Sequence, residues 1–295
     1  MEDNFYVTLP SNVGHDFLEN TVANYTTKLA SSIELKGQWE VGLVEMSYTL
    51  SWYNVPENLY FSVNYYDAHR LESDELYLPK GRYDKITDII SKLNNVLTKP
   101  IRDNIKPVPV RNPKLELDER TRKVTIKNGI GKDNRMIFLQ LPFELCQILG
   151  FDKKAMDKYN GNMLIKYSQE VSNLPANQRA NYVHPMHTDT EQTYIAERPF
   201  ELSGGTHGLF VYCDIVKPSF VGDSYTQLLR LVQVPSGIKF GDQVLITYAN
   251  TYYVPLLTHE FETIEVHIKD DVGDTIPFEF GRSIMVLHFR KKKEN

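Results

Sequence analysis

The sequence predicts a mostly β protein, a single jelly-roll β-sandwich that carries a long α+β insertion. Period-two alternation of apolar and polar residues, the pattern of half-buried strands, is concentrated towards the two ends of the 295-residue chain. Apolar residues at helical spacing occur in the middle of the chain. Three strands before residue 67 and five after residue 207 make eight, the strand number of one jelly roll. We therefore predict a core of residues 1–66 and 207–295, with an insertion domain of residues 67–206.

The N-terminal part is predicted to supply three strands. Residues 27–35 alternate, with Leu29, Ile33 and Leu35 on one face. Residues 39–46 form the second strand, with apolar residues on both faces, and residues 59–66 form the third. The link of Gly37 and Gln38 is so short that it favours a hairpin over a crossing between two sheets.

The middle of the chain predicts a domain of mixed structure. An amphipathic helix is predicted at about residues 83–98, with its apolar face packed on strands of the insertion itself. A hairpin follows at 114–127, a strand at 135–141, a short helix that ends at Gly150, and an extended loop at 168–200. The apolar face of the first helix comprises Ile86, Ile90, Leu93 and Leu97.

Strand patterns return in the C-terminal part of the chain. The predicted strands are 209–216, 228–234, 244–254, 263–268 and 284–289. Gly or Pro turn signals lie between several of them, and the acidic stretch 270–274 is predicted to form a tight turn between two strands.

Composition and charge restrict the possible classes of function. The formal net charge is -5 and the pI is near 5.9, so the chain lacks the overall basic field that nucleic-acid binders use. The basic run 290–293 is predicted to be a solvated tail, with contact to a genome as the alternative. Two cysteines far apart in sequence, the absence of a signal-peptide pattern and the absence of a long apolar run predict synthesis inside a cell without secretion or a membrane span.

Candidate sites for chemistry are weak. Gly129-Ile130-Gly131 lacks the lysine of a phosphate loop and is predicted to be a turn. His184 and His187 with Asp189 have no third ligand that the sequence can identify, and Cys213 lies in the middle of a strand. We therefore predict no catalytic residue, no metal and no cofactor, and a protein that is not an enzyme.

Several segments resemble one family of viral proteins. They are 5–12 (FYVTLPSN), 20–21 (NT), 35–43 (LKGQWEVGL), 212–216 (YCDIV), 222–223 (GD), 228–230 (LLR), 253–256 (YVPL), 270–273 (DDVG), 277–278 (PF) and 287–290 (LHFR). These segments look like the penton-type minor capsid proteins of Polinton (Maverick) elements and adintoviruses. The resemblance implies a single jelly roll that forms homopentamers at the fivefold vertices of an icosahedral virion, beside a double jelly-roll major capsid protein.

The residues that carry this resemblance are expected to be structural. They are Trp39, Gly42, Tyr212, Asp214, Gly222, Asp223, Arg230, Tyr253, Pro255, Asp271, Gly273, Pro277, Phe278, His288 and Arg290. Gly42 and Gly222 suit a close backbone approach or a turn, and Pro255 suits a strand edge or a bulge. Arg230 is long enough to pair across a subunit boundary. The isolated protein is then expected to be a monomer or a pentamer, but not a stable dimer.

Two alternatives remain open from the residues. A jelly roll with exposed aromatic residues is also suited to a carbohydrate- or receptor-binding module. An enzyme of the cupin type would need histidines clustered on adjacent strands, whereas His259, His267 and His288 lie on different segments.

Overall fold

The computed structural model describes residues 3–12, 17–67, 70–98, 109–131, 136–161, 173, 193–202 and 206–292. The described residues contain the helices α1 (Ile86–Leu97) and α2 (Phe143–Leu149) and a further helical segment at 153–161. The strands are, in chain order, β1 (Asn4–Pro10), β2 (Asn24–Glu34), β3 (Trp39–Thr49), β4 (Leu59–Asp67), β5 (Arg70–Leu78), β6 (Pro109–Arg111), β7 (Lys114–Asp118), β8 (Lys123–Lys127), β9 (Gly129–Gly131), β10 (Met136–Gln140), β11 (Thr193–Ile195), β12 (Gly208–Cys213), β13 (Ser219–Val221), β14 (Ser224–Thr226), β15 (Leu228–Gln233), β16 (Gln243–Thr247), β17 (Val254–Pro255), β18 (Glu260–Lys269) and β19 (Ser283–Lys291).

Two compact units share the chain. The first unit comprises residues 1–53 and 205–295, and the second comprises residues 54–204. The first unit contains two main antiparallel sheets, in the strand orders β1-β19-β3-β16 and β15-β12-β18-β2, with β17 also paired to β3.

The order of these strands is that of a jelly roll. Counted within the first unit, the main strands run from first to eighth as β1, β2, β3, β12, β15, β16, β18 and β19. One sheet then has the order first, eighth, third, sixth, and the other has the order fifth, fourth, seventh, second. Two antiparallel sheets connected in this way are a double Greek key that encloses one core.

Alternating side chains of both sheets fill that core. Leu9, Leu43, Val211, Ile264 and Leu287 are all fully buried between the sheets. Burial of an aliphatic side chain of this kind contributes about 1.5–3 kcal/mol. The inward alternation therefore selects this arrangement of the strands.

A β-bulge in β3 explains why this strand is apolar on both faces. Leu287 is opposite Leu43, whereas its neighbour Val286 is opposite Glu45, so Val44 is the extra residue. Before the bulge the odd-numbered residues are buried, and after it Met46 and Tyr48 are buried. β3 therefore has one buried face. The residues on that face are odd-numbered before the bulge and even-numbered after it, so the sequence is apolar at both kinds of position.

The hairpin suggested by the short link at Gly37 and Gln38 is not formed. The chain crosses here from the sheet of β2 to the sheet of β3. Gly37 has φ +87°, the left-handed conformation that glycine adopts without strain, and Trp39 Nε1 donates to the Lys36 carbonyl oxygen at 3.1 Å. One glycine and one indole hydrogen bond allow so short a crossing.

One strand assignment in the jelly roll was wrong, and one strand was missed. Residues 59–66 do not belong to it, because β4 pairs with β5 and β10 of the second unit. The place of that strand is taken by β1, which pairs with β19 along its whole length. Alternation predicts that a segment is a strand, but it does not say which distant strand is its partner.

The strand predicted at 244–254 is interrupted. Thr247 pairs with Glu45 and Val254 pairs with Val41, so the six residues 248–253 lie opposite only the three residues 42–44. The surplus residues leave the sheet as a loop, which we call the 248–253 loop.

The second unit contains two small sheets, ordered β5-β4-β10-β9-β6 and β11-β8-β7. Its helix α1 buries Ile86, Ile90, Leu93 and Leu97, which confirms the predicted apolar face. The hairpin β7–β8 and the end of α2 at Gly150, with φ +85°, also follow the prediction. Among the described residues, none of these strands pairs with the two jelly-roll sheets.

Two local predictions in the second unit were wrong. Gly129–Gly131 is not a turn but the strand β9, which lies between β10 and β6. The predicted loop 168–200 contains the strand β11, which pairs with β8. His184, His187 and Asp189, with most of that loop, lie outside the described residues.

Candidate functional site

A cluster of polar and aromatic side chains lies on the outer face of the sheet β1-β19-β3-β16. The strand register places Tyr6 beside His288, and His288 beside Gly42 on the other neighbouring strand. Two residues further along the same strands, Arg290 of β19 is paired with Glu40 of β3. Together with Tyr253 from the 248–253 loop, the side chains of Tyr6, Glu40, His288 and Arg290 form what we call the outer-face cluster.

Its contacts are short and specific. The rings of Tyr6 and His288 are stacked with their centroids 4.5 Å apart. The Tyr253 hydroxyl is 2.7 Å from His288 Nδ1, which is hydrogen-bond distance. The Arg290 guanidinium carbon lies 3.4 Å from the centroid of the Tyr253 ring, and Arg290 Nε donates to a Glu40 carboxylate oxygen. Three strands and one loop are joined by these contacts.

Arg290 is therefore not part of a solvated tail, and that expectation was wrong. It is the next-to-last residue of β19, and the following residues remain attached to the sheet. The Lys291 and Lys292 backbone N–H groups donate to the carbonyl oxygens of Asp3 and Gln38, at 2.9 and 2.8 Å. Lys293 lies outside the described residues.

The 248–253 loop packs directly on Gly42. A Cβ at this position would lie 2.4 Å from Thr251 Cγ2 and 2.6 Å from the carbonyl oxygen of Tyr252, both closer than van der Waals contact. Only glycine lets the loop approach closely enough for Tyr253 to reach His288. The resemblance residues Gly42, Tyr253, His288 and Arg290 thus act together.

The electrostatics of the cluster favour a neutral imidazole. Burial lowers the pKa of His288 below its ordinary value of 6.5, and the positive charge of Arg290 lowers it further. The Tyr253 hydroxyl is within hydrogen-bond distance of Nδ1, and a neutral ring can accept a hydrogen bond from the hydroxyl there.

A second group of resemblance residues fixes the end of β12. Asp214 Oδ1 accepts the backbone N–H of Glu265 at 2.9 Å, and the Asp214 carbonyl oxygen accepts from Gln227 Nε2. Burial raises the pKa of Asp214, and burial also raises the pKa of the half-buried Tyr212. These contacts hold β12 to β18 and to the segment before β15.

Arg230 has a partner within the chain. Its guanidinium carbon lies 3.5 Å from the ring centroid of Tyr248. Arg230 is in β15 and Tyr248 directly follows β16, and these are edge strands of the two different jelly-roll sheets. Its Nη1 is buried and has no hydrogen-bond partner among the described residues. A contact with a neighbouring subunit would have to compete with this stack.

An isolated hairpin, β13–β14, presents two aromatic rings to solvent. Gly222, with φ +60°, and Asp223 form its two-residue turn, as in a type II′ hairpin. Phe220 and Tyr225 are directly opposite each other, with ring centroids 5.1 Å apart and exposed fractions of 84% and 65%. We call this element the aromatic hairpin.

Sequence reasoning missed the aromatic hairpin as an element. The signal was nevertheless present, because Gly222-Asp223 is flanked by two three-residue segments with an aromatic residue at the centre of each. Tyr6 and Glu40 were also not singled out, since their proximity to His288 depends on a pairing with distant strands.

The remaining resemblance residues have structural positions. Trp39 and Phe278 pack at the jelly-roll core, where Phe278 meets Trp52 edge to face at 5.3 Å. Gly273, with φ +93°, follows Asp271 in the acidic turn, in which Asp270 Oδ1 accepts the N–H groups of Val272 and Asp274. Pro277 is exposed, and Pro255 lies in the two-residue strand β17 beside Glu40. The prediction of a tight turn at 270–274 is confirmed.

Nucleophilic chemistry is disfavoured at both cysteines. Cys146 and Cys213 are buried, and burial raises the pKa of the Cys146 thiol to about 12 and that of Cys213 further still. Within the described ranges, no three metal-ligating side chains converge on one point. The helices of that same part of the chain are each too short or too polar to cross a membrane.

Comparison with known proteins yields structural similarity alone. The penton protein of mavirus is 11% identical to this chain, with a TM-score of 0.47, over 98% of this chain and 99% of the other. A chain in the cryo-EM structure of the Sputnik virophage is 11% identical, with a TM-score of 0.49, over 99% of both chains. No protein-family model and no curated protein matches the sequence. The assignment of the jelly roll rests on strand order and register, independently of these similarities.

Proposed function

We propose that this chain is a structural virion protein, a penton-forming minor capsid protein that occupies the fivefold vertices of an icosahedral shell. The observation that carries the proposal is the jelly-roll strand order of the first unit, in which the segments resembling penton-type capsid proteins occupy defined positions. Gly42, Tyr253, His288 and Arg290 come from three separate segments of that resemblance, yet they meet in one cluster.

A ring of five copies needs two different surfaces that fit each other. A heterologous interface of this kind closes when its rotation is one fifth of a turn. We assign one surface to the aromatic hairpin and the other to the outer face of the sheet β1-β19-β3-β16. That face exposes Tyr6 at 63% and Leu245 at 62%, so each surface offers large apolar side chains to a partner.

The hairpin is suited to this role because it is not part of either large sheet. A two-stranded hairpin is marginally stable in water by itself, so burial against a second copy would stabilise it. Its one acidic residue, Asp223, lies in the turn, and the aromatic pair lies on the strands.

Weak contacts between copies are sufficient in a shell. A double jelly-roll major capsid protein around the vertex would hold the copies together and raise their effective concentration. The net charge of -5 on each chain opposes assembly at low salt, and screening over about 10 Å at 0.1 M salt reduces that repulsion.

Sedimentation velocity across a concentration and salt series tests the proposal. We expect monomers and pentamers, with more pentamer at higher salt. The double variant Phe220→Ala with Tyr225→Ala should remain a folded monomer, because both rings are exposed and contribute little to the core. A matched control is Phe280→Ala, which removes an aromatic side chain of 48% exposure elsewhere in the first unit. Assembly unchanged by the double variant would exclude the aromatic hairpin as an interface, and a stable dimer would exclude the fivefold ring.

A further inference from the structure

The second unit has a groove on the face of the sheet β5-β4-β10 that is opposite to its hydrophobic core. Its volume is about 300 Å³, and its walls include Tyr60, Ser62, Glu75, Gln140 and Lys153. Tyr60, Ser62 and Glu75 point outward, because their neighbours Phe61 and Val63 in β4 and Leu78 in β5 are buried on the opposite face. The groove is distinct from the outer-face cluster and from the aromatic hairpin, which belong to the first unit.

One tyrosine ring, that of Tyr60, lines this groove, and the ring of Tyr77 lies beside it. Tyr60 of β4 and Tyr77 of β5 are directly paired across the strands, with ring centroids 5.6 Å apart and an interplanar angle of 43°. The two side chains are 53% and 47% exposed. Their ring faces are therefore available to a ligand with an apolar surface of its own.

A row of polar side chains lies directly beside the rings. The register places Glu75 opposite Ser62, and Ser62 opposite Gln140, so a carboxylate, a hydroxyl and an amide follow one another across three strands. These three side chains make no hydrogen bond or ion pair with any other described residue. They provide acceptors and donors at a spacing fixed by the sheet.

We propose that this groove binds a neutral carbohydrate. The alternating C–H faces and hydroxyl groups of a sugar ring match an aromatic surface beside planar polar groups, and a volume near the lower end for ligand sites fits a short oligosaccharide. An anionic ligand fits less well, because Glu75 contributes a negative charge and the Lys153 ammonium is already paired with Asp157. Recognition of a glycan on a surface is a function separate from assembly.

An array of neutral and sialylated oligosaccharides, probed with the purified full chain, tests this proposal. We expect binding to neutral glycans, followed up by calorimetric titration with the free oligosaccharide. Tyr60→Ala and Tyr77→Ala should each weaken that binding about tenfold, and Glu75→Gln should also weaken it. Tyr60→Phe keeps the ring and should bind as the unmodified chain does.

Controls separate this proposal from the one on assembly. Tyr225→Ala removes an exposed tyrosine of the first unit and should leave glycan binding unchanged. Tyr60→Ala should sediment as the unmodified chain does. Absence of binding to every neutral glycan, binding restricted to sialylated glycans, or binding that is unchanged in Tyr60→Ala and Tyr77→Ala would overturn the glycan proposal, whatever the assembly state.

Discussion

Gly42 shows how one residue controls the outer-face cluster. We expect Gly42→Ala to destabilise the first unit by about 1–3 kcal/mol, because the new Cβ would clash with a backbone carbonyl oxygen that cannot rotate away. Thermal denaturation measures the change. Gly161→Ala is the matched control, since a Cβ there meets nothing within 4 Å and the residue is helical. Equal melting temperatures for Gly42→Ala and the unmodified chain would show that the 248–253 loop does not pack closely against Gly42.

His288 makes the stability of the first unit depend on pH. Its pKa is lower in the folded chain than the ordinary value of 6.5, so the unfolded chain takes up the proton first as the pH falls. The stabilisation is complete above about pH 6.5 and is lost as the pH falls through the folded pKa.

We therefore expect the free energy of unfolding to decrease as the pH is lowered below about 6.5, and less so in His288→Gln. Denaturant titrations at each pH measure this difference. His259→Gln, at an exposed histidine in the segment before β18, is the control. A pH dependence in His288→Gln identical to that of the unmodified chain would contradict the role assigned to this residue.

At the scale of elements, α1 is the part of the second unit that the sequence specifies best. Leu93 is 1% exposed, so Leu93→Ala should cost about 2–5 kcal/mol of stability in this unit. Hydrogen exchange of the amides in α1 and β7 locates the loss. Lys92→Ala changes the exposed neighbour and should have little effect. A loss of similar size in both variants would mean that the helix is not held by its apolar face.

The elements also show what the sequence alone can specify. The helix α1, the hairpin β7–β8 and the end of α2 depend on spacing and turn residues within a few positions, and these were predicted correctly. The assignment of β4 to the jelly roll failed because its partners, β5 and β10, are chosen by packing rather than by its own alternation. The outer-face cluster required the pairing of Tyr6 with His288, which are at opposite ends of the chain.

On the scale of the whole molecule, burial constrains the residues of the fold but leaves the exposed surfaces free. The two-sheet arrangement follows from alternation, because each buried face has to meet another. The membership of each sheet does not, since residues 59–66 were assigned to the jelly roll and β1 was missed. Exposed residues such as Phe220 and Tyr6 are not constrained by the core of a single chain. Their exposure is explained if a second copy of the chain covers them.

The symmetry of the assembled particle tests the central claim most directly. Negative-stain images of the protein, taken at the salt and protein concentrations that favour assembly, should show closed rings of five lobes. The mass of such a ring in solution should be five times the 34.1 kDa of one chain. Rings of another symmetry, open chains, or a twofold particle as the largest species would contradict the account of this protein as the subunit of a fivefold vertex.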